Sequence, residues 1–141
     1  MNAYAVVIDT NVVITALRSN RGASYRLLML FGSEAFNVHI SVPLILEFED
    51  VAKRLVGDIP LIVQDIDDIL DYICDIGIHQ DLFYLWRPYL RDPKDDMVLE
   101  LAVAANCDFI ITYNKSDFVG IEQFGIEALT PKEFLQKIGE L

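Results

Sequence analysis

The chain has 141 residues, 53% of them hydrophobic, with a formal net charge of −11 and a mean hydropathy of +0.33. This composition excludes disorder and is enough for a core within one domain, residues 1–141. A membrane helix is excluded as well, because the longest stretch without Asp, Glu, Lys or Arg is the twelve residues Ala35 to Leu46, and a span needs about 20.

The elements alternate. Tyr4 to Ile8 is a continuous Val-rich apolar run, the pattern of a buried strand. It stops at Asp9, and Asn11 to Leu17 reads as a short helix. After the break "SNRG", Ala23 to Phe31 is a second helical stretch, and Phe36 to Ser41 a strand closed by Pro43. Leu44 to Val56 is helical, with Leu44, Phe48, Val51, Ala52 and Leu55 on one face. Ile59 to Ile76 is another amphipathic helix, lined by Ile62, Ile66, Ile69, Leu70 and Ile73, with Asp65, Asp68, Asp71 and Asp75 off that face. His79 to Leu85 is a short edge strand or a loop. "RPYLRDPKDD" is a basic loop leading into a buried helix, Asp95 to Asn106, whose only charge from Met97 to Ala105 is Glu100. Asp108 to Thr112 is a second core strand and Gly125 to Leu129 a third. "TPKEFLQKI" opens a last helix with a capping box, Thr130 as N-cap, Pro131 next and Glu133 at the third position. Strands alternating with helices imply a parallel sheet covered on both faces.

Charge is unevenly placed. From Asp58 to Asp81 there are seven acids and no Lys or Arg, whereas Arg18, Arg21, Arg26, Arg87, Arg91 and Lys94 hold six of the eleven cations in two short windows. The overall charge disfavours nucleic acid, which needs cations; these windows form a local basic rim or ordinary surface charge. The acidic helix is a solvated face, a docking surface for a basic partner or a repellent for RNA. The N-terminal apolar run is short and lacks a basic flank, so a cytoplasmic chain without a signal peptide is expected. Cys74 and Cys107 lack metal-ligand spacing and read as reduced core residues. His39 and His79 are isolated, one in a strand and one in a loop.

Ligands of open α/β sheets sit beyond the carboxyl ends of the strands. Asp9 ends the first strand there, and Asp117 lies five residues past Thr112. Glu47, on the flank of its helix's apolar stripe and with Glu49 as its close competitor, can reach the same edge, as can Asp95 and Asp96 at the start of the buried helix. Each acid alone is explained as a helix cap or a solvated helix acid. Gathered at one edge they repel one another unless a cation sits among them. All-oxygen ligands point to Mg²⁺ or Mn²⁺, and such ions suit phosphodiester hydrolysis. Thr10, Asn11 and Thr112 are placed to orient the carboxylates. Lys115, inside one of the acidic segments, joins the basic rim.

These segments resemble a known family. "VVIDTNVVI", "SVPLILEFEDV" and "RDPKDDMVLELAVAANCDFIITYNKSDF" resemble, in order and spacing, the motifs of PIN-domain proteins. The ending "GIEALTPKEFLQKI" is similar to one bacterial branch, the VapC-like toxin components of type II toxin–antitoxin systems. The resemblance implies a three-layer α/β sandwich with a central parallel sheet of about four to five strands. It implies a metal-dependent ribonuclease acting on single-stranded RNA, with Asp9, Glu47, Asp95 or Asp96, and Asp117 as metal ligands, Asp95 being favoured. It also implies a homodimer and an antitoxin partner. Two other classes compete. A haloacid-dehalogenase-like phosphatase needs a second Asp two residues past the first, where this chain has Asn11. A catalytically inactive protein-binding scaffold would have lost ligands, whereas a candidate stands at all four acidic positions.

Overall fold

The computed structural model describes residues 3–81 and 89–141. In chain order the elements are β1 (Tyr4–Ile8), α1 (Thr10–Arg18), α2 (Ala23–Met29), β2 (Phe36–Ile40), α3 (Val42–Arg54), α4 (Val63–Ile76), β3 (Ile78–His79), α5 (Pro93–Ala104), β4 (Phe109–Ile111), β5 (Glu127–Leu129) and α6 (Pro131–Lys137). Two 3₁₀ turns, Lys115–Phe118 and Ile121–Phe124, join β4 to β5.

The five strands form one parallel sheet in the order β3-β2-β1-β4-β5. Val6, in the central strand, lies opposite Val38 on one side and Phe109 on the other. Val6, Val7 and Ile8 are all buried. Successive strand side chains point to opposite faces, so this run of buried residues means that helices cover both. The chain winds outward from β1 to β2 and β3, then returns to place β4 on the other flank. The strand order therefore reverses between β1 and β4, and the crevice outside their carboxyl ends is where such sheets hold ligands. The ladder extends to the lip of that crevice: Asp9 N–H donates to the Ile111 carbonyl at 2.9 Å, and Thr112 N–H to the Leu129 carbonyl at 2.8 Å.

Several boundaries differ from the sequence reading. α3 begins at Val42, earlier than expected, because Ser41 is its N-cap and accepts from Leu44 N–H, while Pro43 sits in the first turn, where no N–H is missed. Pro43 thus belongs to the helix. α4 begins only at Val63. Ile59 precedes Pro60, a position that disfavours helix, and instead forms a β-bridge with Val56. Ile62 is exposed at the helix entrance, where its N–H donates to the Asp65 carboxylate. Ile66, Leu70 and Ile73 are buried as expected. α5 starts at Pro93 with Asp92 as its cap, so Asp95 and Asp96 both fall in its first turn. Val98, Leu99, Glu100, Leu101 and Ala102 are consecutively buried, as a helix enclosed on all sides requires. The capping box of α6 forms: Thr130 accepts from Glu133 N–H and Glu133 from Thr130 N–H.

His79 lies in the edge strand rather than a loop, and residues 82–85 of the same expected segment lie outside the described residues. Cys107 is buried and Cys74 only half-buried on α4, so just one of the two belongs to the core. No helix among the described residues is long and apolar enough to cross a membrane.

Candidate functional site

Asp9 ends β1 and caps α1. Its Oδ1 accepts from Thr10 N–H at 2.8 Å. Its Oδ2 accepts from Thr112 Oγ1 at 2.8 Å and from Asn11 Nδ2 at 3.2 Å. The carboxylate is buried, and burial is the main cause that lifts its pKa above the ordinary value. The hydrogen bonds from Thr112 and Thr10 oppose that rise, while the charges of Glu47 and Asp117 add to it.

Thr10 turns the other way. Its hydroxyl donates to Glu47 Oε2 at 2.9 Å, tying the end of β1 to α3. Only 14% of the Glu47 side chain is exposed, and Lys94 Nζ stands 3.8 Å from its Oε1. Thr112 donates its one hydroxyl proton to Asp9 and accepts from Asn11 Nδ2 and Asn114 N–H. Asn11 in turn accepts from Tyr113 N–H through Oδ1. Thr10, Asn11 and Thr112 thus fix both carboxylates by direct hydrogen bonds.

Asp95, half-buried in the first turn of α5, has its pKa pushed up to about 7. Burial comes first, followed by repulsion from Asp9, Asp117, Asp92 and Glu47. This places Asp9, Glu47, Asp95 and the exposed Asp117 within electrostatic reach of one another, from four elements that converge on the β1–β4 crevice. Asp96 is used differently. Its Oδ1 accepts from Tyr89 N–H at 3.1 Å and Leu90 N–H at 2.8 Å, securing the chain that enters α5. Asp92, which the sequence reading passed over, caps α5 through Lys94 N–H and adds to the negative field at Asp95. Its signal was present: an Asp directly before Pro at a helix start is an N-cap pattern.

Among the described residues no group of three acids, histidines or cysteines is already gathered as a ligand set. The fit to a metal is one of chemistry: hard oxygen donors, mutual repulsion, and one carboxylate pushed up to about 7 by burial and by the acids around it. A divalent cation would supply the counter-charge.

The basic rim is only partly assembled beside these acids. Lys94 leans on Glu47. Lys115 is paired with Glu133 at 2.9 Å. Arg26 is held by Glu140, its Nε donating to the Glu140 carbonyl at 2.6 Å. Arg18 and Arg21 line a cavity of about 680 Å³ between α1, α2 and α4, which none of the four converging acids lines. Arg91 is exposed, and Arg87 lies outside the described residues.

A family model described as a PIN domain matches residues 5–116. The chain belongs to the PIN-domain family. The match takes in Asp9, Glu47, Asp95 and Asp96, and ends one residue before Asp117. Among solved structures, this PIN domain is similar to a chain in the crystal structure of VapBC2 from Rickettsia felis bound to a DNA fragment from their promoter. The TM-score is 0.59 at 19% identity, over 88% of this chain and 98% of that one, a likeness of fold. The comparison with curated proteins finds no match.

Proposed function

We propose that this PIN domain is a metal-dependent endoribonuclease that hydrolyses phosphodiester bonds of single-stranded RNA, and that it is the toxin of a toxin–antitoxin pair. The observation that carries the reading is the convergence of Asp9, Glu47, Asp95 and Asp117 on the crevice where the strand order reverses. These four are the proposed ligands of Mg²⁺ or Mn²⁺, and Asp95 is preferred to Asp96 because the Asp96 carboxylate is committed to two backbone N–H groups. The bound metal would activate water and stabilise charge on the phosphate and the leaving oxygen.

The chain's own residues do the rest. Thr112 and Asn11 aim Asp9 by donating to its Oδ2, and Thr10 aims Glu47. Lys94, close to Glu47 and 65% exposed, can turn toward a phosphate oxygen. Arg91 and Lys115, with Arg18, Arg21 and Arg26 further along the surface, would track the RNA backbone. The similar VapBC2 chain was crystallised with its partner and DNA; by analogy an antitoxin would bind this chain, which would act in the cytoplasm as a homodimer.

The test is cleavage of a labelled single-stranded RNA by the purified protein with Mg²⁺, with Mn²⁺ and with EDTA, beside Asp9→Asn. Cleavage that needs the metal and is lost in the variant supports the reading. No cleavage of any single-stranded RNA by folded, metal-supplied protein overturns it.

A further inference from the structure

Tyr113 directly follows Thr112, the residue that donates to Asp9. Its backbone and the far end of its side chain are both hydrogen-bonded. The backbone N–H donates to Asn11 Oδ1 at 3.2 Å, and the phenol OH is hydrogen-bonded to Ser24 Oγ at 2.5 Å. Ser24 is buried in α2, so the anchor is fixed. Yet the side chain remains 41% exposed. A large aromatic ring is thus tethered at its hydroxyl and open to solvent, on a residue whose backbone adjoins the Thr112 and Asn11 bonds to Asp9.

We propose that Tyr113 is a base-stacking platform that seats the base of a nucleotide flanking the cleaved phosphate. The inference rests on the ribonuclease reading and makes it more specific: the strand must be unpaired at that nucleotide. Every base has a π-face, so a stack of this kind tolerates sequence while demanding a single strand. A platform immobilised before binding loses little entropy when the base arrives. The tether also gives the strand a direction. Ser24 lies on α2 beside a groove lined by Arg21, Arg26 and Lys132, so RNA leaving the carboxylates over Tyr113 meets cations next.

The probes are short 5′-labelled oligouridylate and oligoadenylate, and an oligoribonucleotide carrying 2-aminopurine, whose fluorescence is quenched on stacking. Binding is measured with Ca²⁺ in place of Mg²⁺, and cleavage with Mg²⁺. Tyr113→Ala should weaken binding and raise KM about tenfold, the scale of one lost base–aromatic stack, with kcat changed less than twofold and the quench lost. Tyr113→Leu keeps a bulky apolar side chain without the π-face and should bind like Tyr113→Ala, while melting like Tyr113→Phe, which loses the same bond to Ser24. Tyr113→Phe keeps the face and should retain most of the affinity. Wild-type protein that binds the probes, with Tyr113→Leu binding and quenching equally well, overturns the stacking role alone. Wild-type protein that neither binds nor cleaves any of the probes overturns the ribonuclease reading and this inference with it.

Discussion

The Thr10 hydroxyl donates to Glu47 Oε2 at 2.9 Å, joining two acidic segments that lie 37 residues apart in the chain. This bond decides where the Glu47 carboxylate points. Thr10→Val keeps the shape of the side chain and removes only the donor. Stability should fall by about 1 kcal/mol, the usual net worth of such a bond. Metal affinity should fall further, by about 10–100-fold, because a ligand that is no longer oriented must be ordered by the ion itself. Calorimetric titration with Mn²⁺ beside thermal melts measures both. Equal metal affinity in wild type and variant would show that Thr10 has no part in placing Glu47.

Asp9→Asn separates structure from chemistry. Asn is as good an N-cap as Asp, so α1 keeps its start. The variant removes a buried charge whose pKa is raised by burial and by Glu47 and Asp117. With its oxygen capping Thr10 N–H, the Asn amide cannot accept from Asn11 and Thr112 as Asp9 Oδ2 does, which offsets the relief of charge. In EDTA the variant should therefore melt near the wild-type temperature, while metal-dependent cleavage falls at least 100-fold. A melting temperature well below wild type in EDTA would contradict the picture of Asp9 as a strained charge.

The strand runs and the acids that end them are legible in the sequence because a buried parallel strand is a continuous apolar run, and "VVID" and "DFIIT" both show it. The choice between Asp95 and Asp96 is not legible. Both fall in one helical turn, and what separates them is the chain entering α5, whose Tyr89 and Leu90 N–H groups claim Asp96. Spacing carries no record of that contact. The pairing of the basic rim is hidden for the same reason: Arg26 and Lys115 look free in the sequence, yet Glu140 and Glu133 pair with them from α6 and the residues beyond it. Ser24 gave no signal at all, since its role depends on Tyr113, 89 residues away.

The stability of the metal-free chain should depend on pH in an unusual direction. Asp9 and Asp95 bind protons more tightly when folded than when unfolded, with Asp95 at about 7 against an ordinary 3.8. Such groups stabilise the fold fully below the unfolded value, and the benefit is lost as pH rises through the folded value. In EDTA the melting temperature should therefore fall between pH 5 and 8. Glu133 acts oppositely: the Thr130 N–H and then Lys115 hold its pKa below the ordinary value, so its benefit is lost only in stronger acid. Asp95→Asn should flatten the slope between pH 5 and 8, and saturating Mg²⁺ should remove it. A metal-free wild type whose stability rises across that window would refute the carboxylate repulsion.

Gly77 lets α4 turn directly into β3. A Cβ there would stand 2.7 Å from Ile40 Cδ1 and 2.8 Å from the Ile73 carbonyl oxygen. The backbone oxygen cannot step aside as a side-chain tip can. Gly77→Ala should cost about 1–3 kcal/mol by overpacking. Gly22→Ala, with nothing within 4 Å of its added carbon, should change the denaturant midpoint little. Equal midpoints for the two variants would exclude the close approach at Gly77.

Asp95 and Asp96 should respond to the same substitution in opposite ways. The Asp96 carboxylate accepts two backbone N–H groups, and removing it leaves both to solvent or strain. Asp96→Ala should therefore lose about 1–2 kcal/mol of stability, while the folded fraction retains most of its cleavage rate. The Asp95 charge is disfavoured by burial and then by its acidic neighbours, so Asp95→Ala should raise the melting temperature in EDTA at pH 8. It should also abolish metal-dependent cleavage and lower the affinity for Mn²⁺. Cleavage is normalised to the folded fraction, so instability cannot imitate a lost ligand. If Asp96→Ala were the inactive, stable variant and Asp95→Ala the active, unstable one, the third ligand would be Asp96. The carboxylate that binds the metal would then be the one that also secures the chain entering α5.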